Sequence, residues 1–231
     1  MMFFLEKEGT ALANELSLPK GVMWRPAWWA GMEFGLTSTF PIRGLDDLKG
    51  KKVRVGPGLP SEVLAEAAGS LSIPLVPEEI YPSLQNGSLD AVEWTTTAGI
   101  IDLKLHELSS HAIVPAIWQP SVLADFLINK QAYESLPSDL KAILETAIKS
   151  YTLTTTLKAK VKDIEALQKL KDSGMIINTW SDEDIARWKA ASEKVITVYK
   201  QRDEFSKRLI EQKHDFKLHY DKYYELFSSY E

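Results

Sequence analysis

Apolar positions fall into short Val/Ile/Leu blocks through the first 130 residues and switch to 3.6-residue spacing beyond them, from a strand pattern to a helix pattern. Residues 3–16 read as a short helix, closed by the Pro19-Lys20-Gly21 breaker. Residues 31–39 look extended. Lys52-Val53-Arg54-Val55 reads as a strand, followed by the tight Gly56-Pro57-Gly58-Leu59-Pro60 turn and a helix beginning near Ser61. The alternation continues with a strand over 73–76, a helix over 78–85, an Asn86-Gly87 turn and a strand over 89–94, then apolar strands over 111–118 and 121–129. From Ser138, placed as an N-cap, Leu140, Ile143, Leu144 and Ile148 open a long helix that runs past Leu157 toward Leu170. Gly174 ends it, 175–180 give one more strand, and Ser181-Asp182-Glu183-Asp184 opens a second long helix in the manner of a capping box. The tail from about His214 to Tyr230 is helical and aromatic. Strands paired with helices early and long helices late predict an α/β fold with a covered sheet.

Composition narrows the partners. The chain has 231 residues, 45% hydrophobic and 26% charged, enough for one large domain or two small lobes with real cores. A net charge of −5, with no stripe of Lys and Arg interleaved with aromatics, makes nucleic acid and anionic membrane poor partners. No run reaches the ~20 apolar residues that cross a bilayer, and charges at Glu6, Lys7 and Glu8 interrupt the start where a signal peptide is apolar. The absence of cysteine rules out disulfides, thiolate metal sites and a Cys nucleophile.

Several catalytic patterns are missing, among them the Gly-x-Ser-x-Gly elbow, the Walker loop and the His-Glu-x-x-His helix. His106 and His111, and likewise His214 and His219, are five apart, which does not put two imidazoles on one helical face. The turn at 56–60 lacks the third glycine of a dinucleotide fingerprint, and Pro57 and Pro60 remove donors that a pyrophosphate would need. A strand end leading into a helix N-terminus still offers partial positive charge to an anion. There Arg54 is suited to bidentate pairing with a carboxylate, although on its own it reads equally as one more surface cation beside Lys51 and Lys52. Glu93 and Trp94, closing an apolar strand, could supply a carboxylate and a wall to a ligand site or be an ordinary strand end. The run Trp24-Arg25-Pro26-Ala27-Trp28-Trp29 is unusual for a plain loop: its aromatics could line a cleft, Arg25 could stack on an indole face, or the run could cover a hydrophobic seam.

Three blocks in order carry a resemblance. Asp47-Leu48-Lys49-Gly50-Lys51-Lys52-Val53-Arg54-Val55 resembles the Asp-Leu-Lys-Gly-x-Lys-x-Arg segment of the solute receptors of tripartite, ATP-independent periplasmic (TRAP) transporters, the DctP family. Ile80 to Trp94, read Ile-Tyr-Pro-Ser-Leu-Gln-Asn-Gly-Ser-Leu-Asp-Ala-Val-Glu-Trp, is similar to that family's Tyr-x-x-Leu-Gln-x-Gly-x-x-Asp-x-x-Glu block, and Leu136-Pro137 before a long helix matches a later segment. The resemblance implies a two-lobed, periplasmic-binding-protein-like α/β fold that encloses a ligand by hinge motion, a periplasmic location and delivery of the ligand to integral-membrane transporter subunits. It implies a non-enzymatic receptor for a small organic carboxylate, with Arg54 pairing to the ligand. Glu93-Trp94 resembles the branch that binds 2-oxo or 2-hydroxy monocarboxylates through a cation. In that branch the glutamate and the next residue's carbonyl hold the metal with an earlier glutamine, whose nearest counterpart here is Glu33. Two carboxylates favour Ca²⁺ over Na⁺.

Family members carry further residues before the position matching Met1, so the first lobe is expected to be incomplete: 1–31 plus 119–160 form its remnant with the connecting helix, and 32–118 plus 161–231 form the second lobe. Such a lobe exposes apolar surface, which predicts a homodimer or other self-association. Two alternatives stand beside the receptor: a small α/β enzyme acting on a 2-oxo acid, and a truncated interaction module that no longer serves transport.

Overall fold

The computed structural model describes residues 2–227; positions 228–230 of the expected helical tail lie outside the described residues. In chain order the elements are α1 (Met2–Glu6), α2 (Gly9–Ser17), β1 (Val22–Trp29), β2 (Leu36–Ser38), β3 (Lys52–Arg54), α3 (Leu59–Ala68), β4 (Leu71–Ile73), α4 (Pro77–Gln85), β5 (Ala91–Glu93), α5 (Thr97–Asp102), β6 (His111–Val114), β7 (Leu123–Asn129), α6 (Lys130–Glu134), α7 (Ser138–Asp172), β8 (Ile176–Thr179), α8 (Asp182–Arg202) and α9 (Glu204–Glu225). The α/β class expected from the pattern is the class observed. Ser138 is the first helical residue of α7 rather than its cap, and Ser181 does cap α8, its Oγ accepting the Asp184 N–H at 3.1 Å. The second long helix breaks at Asp203, whose side chain caps α9 by accepting the Ser206 N–H at 2.7 Å.

The chain divides into two compact units, one of Met1–Ala27, Ala124–Thr152 and Ile196–Glu231, the other of Trp28–Leu123 and Leu153–Val195. The sequence reading put 161–231 together in the second lobe, whereas this division groups 196–231 with the first residues of the chain.

In the first unit, Phe3 of α1 is buried and packs on Phe216 of α9 with ring centroids 5.7 Å apart. The Trp24-to-Trp29 run is not a loop but the strand β1, paired with β7. Pro26 is tolerated in it because β1 has a single strand neighbour, so no second ladder needs the missing N–H. Arg25 turns to Glu145 rather than to an indole, with Nε and Nη2 donating to both carboxylate oxygens at 2.7 to 3.1 Å.

The second unit is built on a six-stranded sheet in the order β4-β3-β5-β2-β6-β8. β4, β3 and β5 run parallel, β2 is antiparallel to both of its neighbours, and β6 and β8 are again parallel to each other. All three residues of β2 are buried, as a central strand requires. Below the sheet, Ile80 and Leu84 of α4, Ile100 of α5 and Leu170 of α7 close on Phe34, Val92 and Ala112. Near-complete removal from water of side chains this size stabilises by ~1.5–3 kcal/mol each before chain entropy is counted. A second cluster stacks Trp118, Trp180 and Trp188 at centroid separations of 5.0 to 6.2 Å.

Candidate functional site

Strand direction assembles the site. β3 and β5 are parallel with Val53 opposite Ala91 and Arg54 opposite Val92, so Arg54 and Glu93 end side by side at the carboxyl edge of the sheet. β2 is antiparallel with Leu36 opposite Glu93, so the segment that enters it, Glu33-Phe34-Gly35, arrives at that same edge. β6 also runs antiparallel to β2, and its exit leads to Gln119. Gly35 is required where these segments cross. Its φ is +128°, and a Cβ there would collide with the Ile113 carbonyl. Four segments distant in sequence thus meet at the carboxyl ends of strands, where ligands of open α/β sheets bind.

Arg54 is 8% exposed and nearly saturated. Nη1 donates to the Glu93 carbonyl at 2.8 Å and to Glu93 Oε2 at 3.3 Å, while Nε and Nη2 both reach the Leu75 carbonyl at 3.3 Å. That uses four of its five N–H groups, and the remaining one, on Nη2, has no acceptor among the described residues. The guanidinium lies over the Trp94 ring, 4.7 Å from the centroid. The Gly56 N–H donates to Glu93 Oε2 at 3.2 Å. The turn that looked able to cradle an exogenous anion thus turns one donor on the protein's own glutamate.

Glu33 is 1% exposed, and neither of its carboxyl oxygens has a hydrogen bond of acceptable geometry. Glu93 and Gln119 nevertheless stand close enough to act on its charge. Burial first, and then the neighbouring Glu93, push Glu33 up to about 8, with Gln119 and Arg54 pulling the other way. Burial also raises Glu93 above the ordinary carboxylate range, against Arg54 and the Gly56 N–H. Burial lowers Arg54, opposed by the two glutamates, and an arginine so placed keeps its charge. Near neutral pH Glu33 therefore keeps its proton, and burial works against charge on Glu93 beside it.

All four residues singled out from the sequence, Arg54, Glu93, Trp94 and Glu33, come together here. Gln119 and the Leu75 carbonyl were missed. Gln119 carries no local signal, and a backbone carbonyl is invisible to residue type. Among the described residues no group of three or more His, Cys, Asp or Glu could hold a metal ion. A hard cation would depend instead on Glu33, Glu93 and the Trp94 carbonyl, and two buried carboxyl groups with orphaned oxygens on one of them suit that chemistry. None of the described helices is long and apolar enough to cross a membrane.

Comparison with known proteins gives these features a context. Residues 7–202 match the family model DctP, bacterial extracellular solute-binding protein, family 7. The monocarboxylate 2-oxoacid-binding periplasmic protein of Nostoc sp. is 30% identical over 158 residues, covering 68% of this chain and 43% of that protein. The C4-dicarboxylate-binding periplasmic protein DctP of Rhodobacter capsulatus is 28% identical over 201 residues, covering 87% and 57%. The chain thus spans about half the length of these relatives. A TRAP periplasmic solute binding protein from Pseudoalteromonas atlantica T6c, solved with bound sodium and pyruvate, superposes with a TM-score of 0.90 at 22% identity, over 99% of this chain and 69% of that one.

Proposed function

The chain belongs to the DctP family of bacterial extracellular solute-binding proteins, family 7, and from that premise we propose that it acts as the periplasmic receptor of a TRAP transporter. It captures a small organic carboxylate, a 2-oxo or 2-hydroxy acid, and delivers it to the integral-membrane subunits. The observation that carries this reading is the single unassigned N–H of the buried Arg54, beside the Glu33 carboxyl, neither of whose oxygens has a hydrogen-bond partner. Arg54 supplies fixed positive charge to the ligand carboxylate, and Trp94 holds the guanidinium plane from behind.

A cation, Ca²⁺ or Na⁺, fits the other half of the site. When bound it supplies positive charge to the 2-oxo or 2-hydroxy oxygen, and Glu33 must give up its proton to take part. Glu93 stays oriented by Arg54 and Gly56. The relative from Nostoc is named for monocarboxylate 2-oxoacids and the neighbour from P. atlantica holds sodium and pyruvate, which supports this ligand class, while the relative from R. capsulatus is named for C4-dicarboxylates.

The test is a pyruvate titration followed by tryptophan emission. Wild type saturates and Arg54→Ala does not; equal affinity in both would remove Arg54 from the site. Metal analysis after dialysis examines the cation, and metal-free protein that still binds pyruvate rejects it.

The chain also presents a face for a second copy. Leu153, Leu157, Val161 and Ile164 are exposed and form one stripe along α7. Set against the same stripe of a second copy, they would leave water together as one continuous apolar strip. Light scattering should find a dimer that Leu157→Lys splits; a wild-type monomer at micromolar concentration contradicts it.

A further inference from the structure

The Trp94 indole covers the Arg54 guanidinium, and two residues that the carboxylate reading leaves unused determine where that indole lies. Thr95 has a backbone φ of +36°, in the left-handed region that a β-branched residue seldom adopts. Its carbonyl accepts the Phe34 N–H at 2.9 Å, which ties the segment carrying Glu33 to the segment carrying Glu93. Its Oγ1 rests on the bare backbone of Gly99 in α5. A Cβ at Gly99 would collide with that hydroxyl and come within 3.2 Å of Trp94 Cδ1 and 3.4 Å of Trp94 Nε1. The indole and the hydroxyl therefore share a seat that exists only because residue 99 has no side chain.

Strain of this kind persists when the surroundings over-determine it, and it collects where geometry serves a purpose. We propose that Thr95 is a strained positioning residue and Gly99 its seat, which together set the Trp94 indole over Arg54 and hold the Glu33 and Glu93 segments in register. The purpose rests on the carboxylate reading above, while the positioning can be measured without ligand. An ordinary turn residue at positive φ is replaced by glycine with no functional cost, because glycine adopts that conformation freely. A positioning residue behaves differently. Thr95→Gly relieves the strain, so stability holds or rises, and the tether on Trp94 is lost.

The experiment compares wild type, Thr95→Gly, Gly99→Ala and Trp94→Phe. Without ligand, the Trp94 part of the emission, taken as wild type minus Trp94→Phe, changes in wavelength or intensity when Thr95 or Gly99 is replaced. The Tm of Thr95→Gly is no lower than that of wild type, while pyruvate binds about tenfold more weakly to both variants. Unchanged Trp94 emission in Thr95→Gly and Gly99→Ala overturns the proposal, and so does wild-type pyruvate affinity in Thr95→Gly. A wild type that binds no pyruvate, with Trp94 emission still displaced in both variants, supports the positioning and counts against the carboxylate reading alone. Should Gly99→Ala fail to fold, Thr95→Gly decides by itself.

Discussion

Arg25 meets Glu145 with two nitrogens on both carboxylate oxygens, whereas Arg54 meets Glu93 with one nitrogen shared between a carbonyl and a carboxylate oxygen at 3.3 Å. The first pair is partly open to water, Tyr133 completes it by donating to Glu145 Oε1 at 2.9 Å, and hydrogen bonding from Arg25 holds Glu145 below the usual carboxylate range. In the second pair burial dominates, so Glu93 is raised, Arg54 is lowered and Glu33 stands beside them unmatched. One Arg–Glu pair is complete in itself and clamps a strand to a helix. The other is held short of completion, which is how a site reserves interaction energy for a ligand.

The largest effect that would sharpen this contrast is at Arg54. Arg54→Ala leaves Glu93 buried without its cation, so urea denaturation should show a loss of ~3–5 kcal/mol, and any wild-type-like stability would mean that the pair is not buried in solution. Next comes Glu33→Gln. A carboxyl whose folded pKa lies above its unfolded value contributes stability that is complete below about pH 4.5 and lost as pH rises through about 8. Glu33→Gln should therefore match wild type at pH 4.5 and exceed it by ~1–3 kcal/mol at pH 8 and above, in metal-free buffer. Parallel pH curves for the two proteins would show that Glu33 titrates normally.

The smallest effect belongs to the completed pair. Glu145→Gln should cost about 1 kcal/mol or less near neutral pH, and that loss should vanish as acid protonates Glu145 through its lowered pKa, since a depressed carboxylate stabilises only above it. Pyruvate affinity should not move. A binding defect in this variant as severe as in Arg54→Ala would erase the distinction between clamp and site.

Much of this was written in local sequence, and the remainder was not, for physical reasons. Arg54 and Glu93-Trp94 stand out because each closes a short strand, and parallel pairing then forces them together. Glu33 stands out only as the nearest counterpart of the glutamine in the resembling branch; what brings it to the others is the reversed direction of β2, a tertiary fact. β1 escaped because Pro26 opposes a strand until its pairing is known. The break between α8 and α9 escaped because Asp203 is an N-cap only once Ser206 folds back to it. Thr95 has no signature at all, since nothing in the local sequence shows that this β-branched residue is held at positive φ.

The central claim, that the incomplete Arg54–Glu93–Glu33 cluster is a cation-assisted carboxylate site, is tested most directly by a crystal structure grown with pyruvate and calcium. The account predicts density for the carboxylate on Nη2 of Arg54 and for an ion between Glu33 and Glu93, in contact with the Trp94 carbonyl. Bound pyruvate elsewhere on the chain, with Arg54, Glu93 and Glu33 arranged as they are without it, would contradict it.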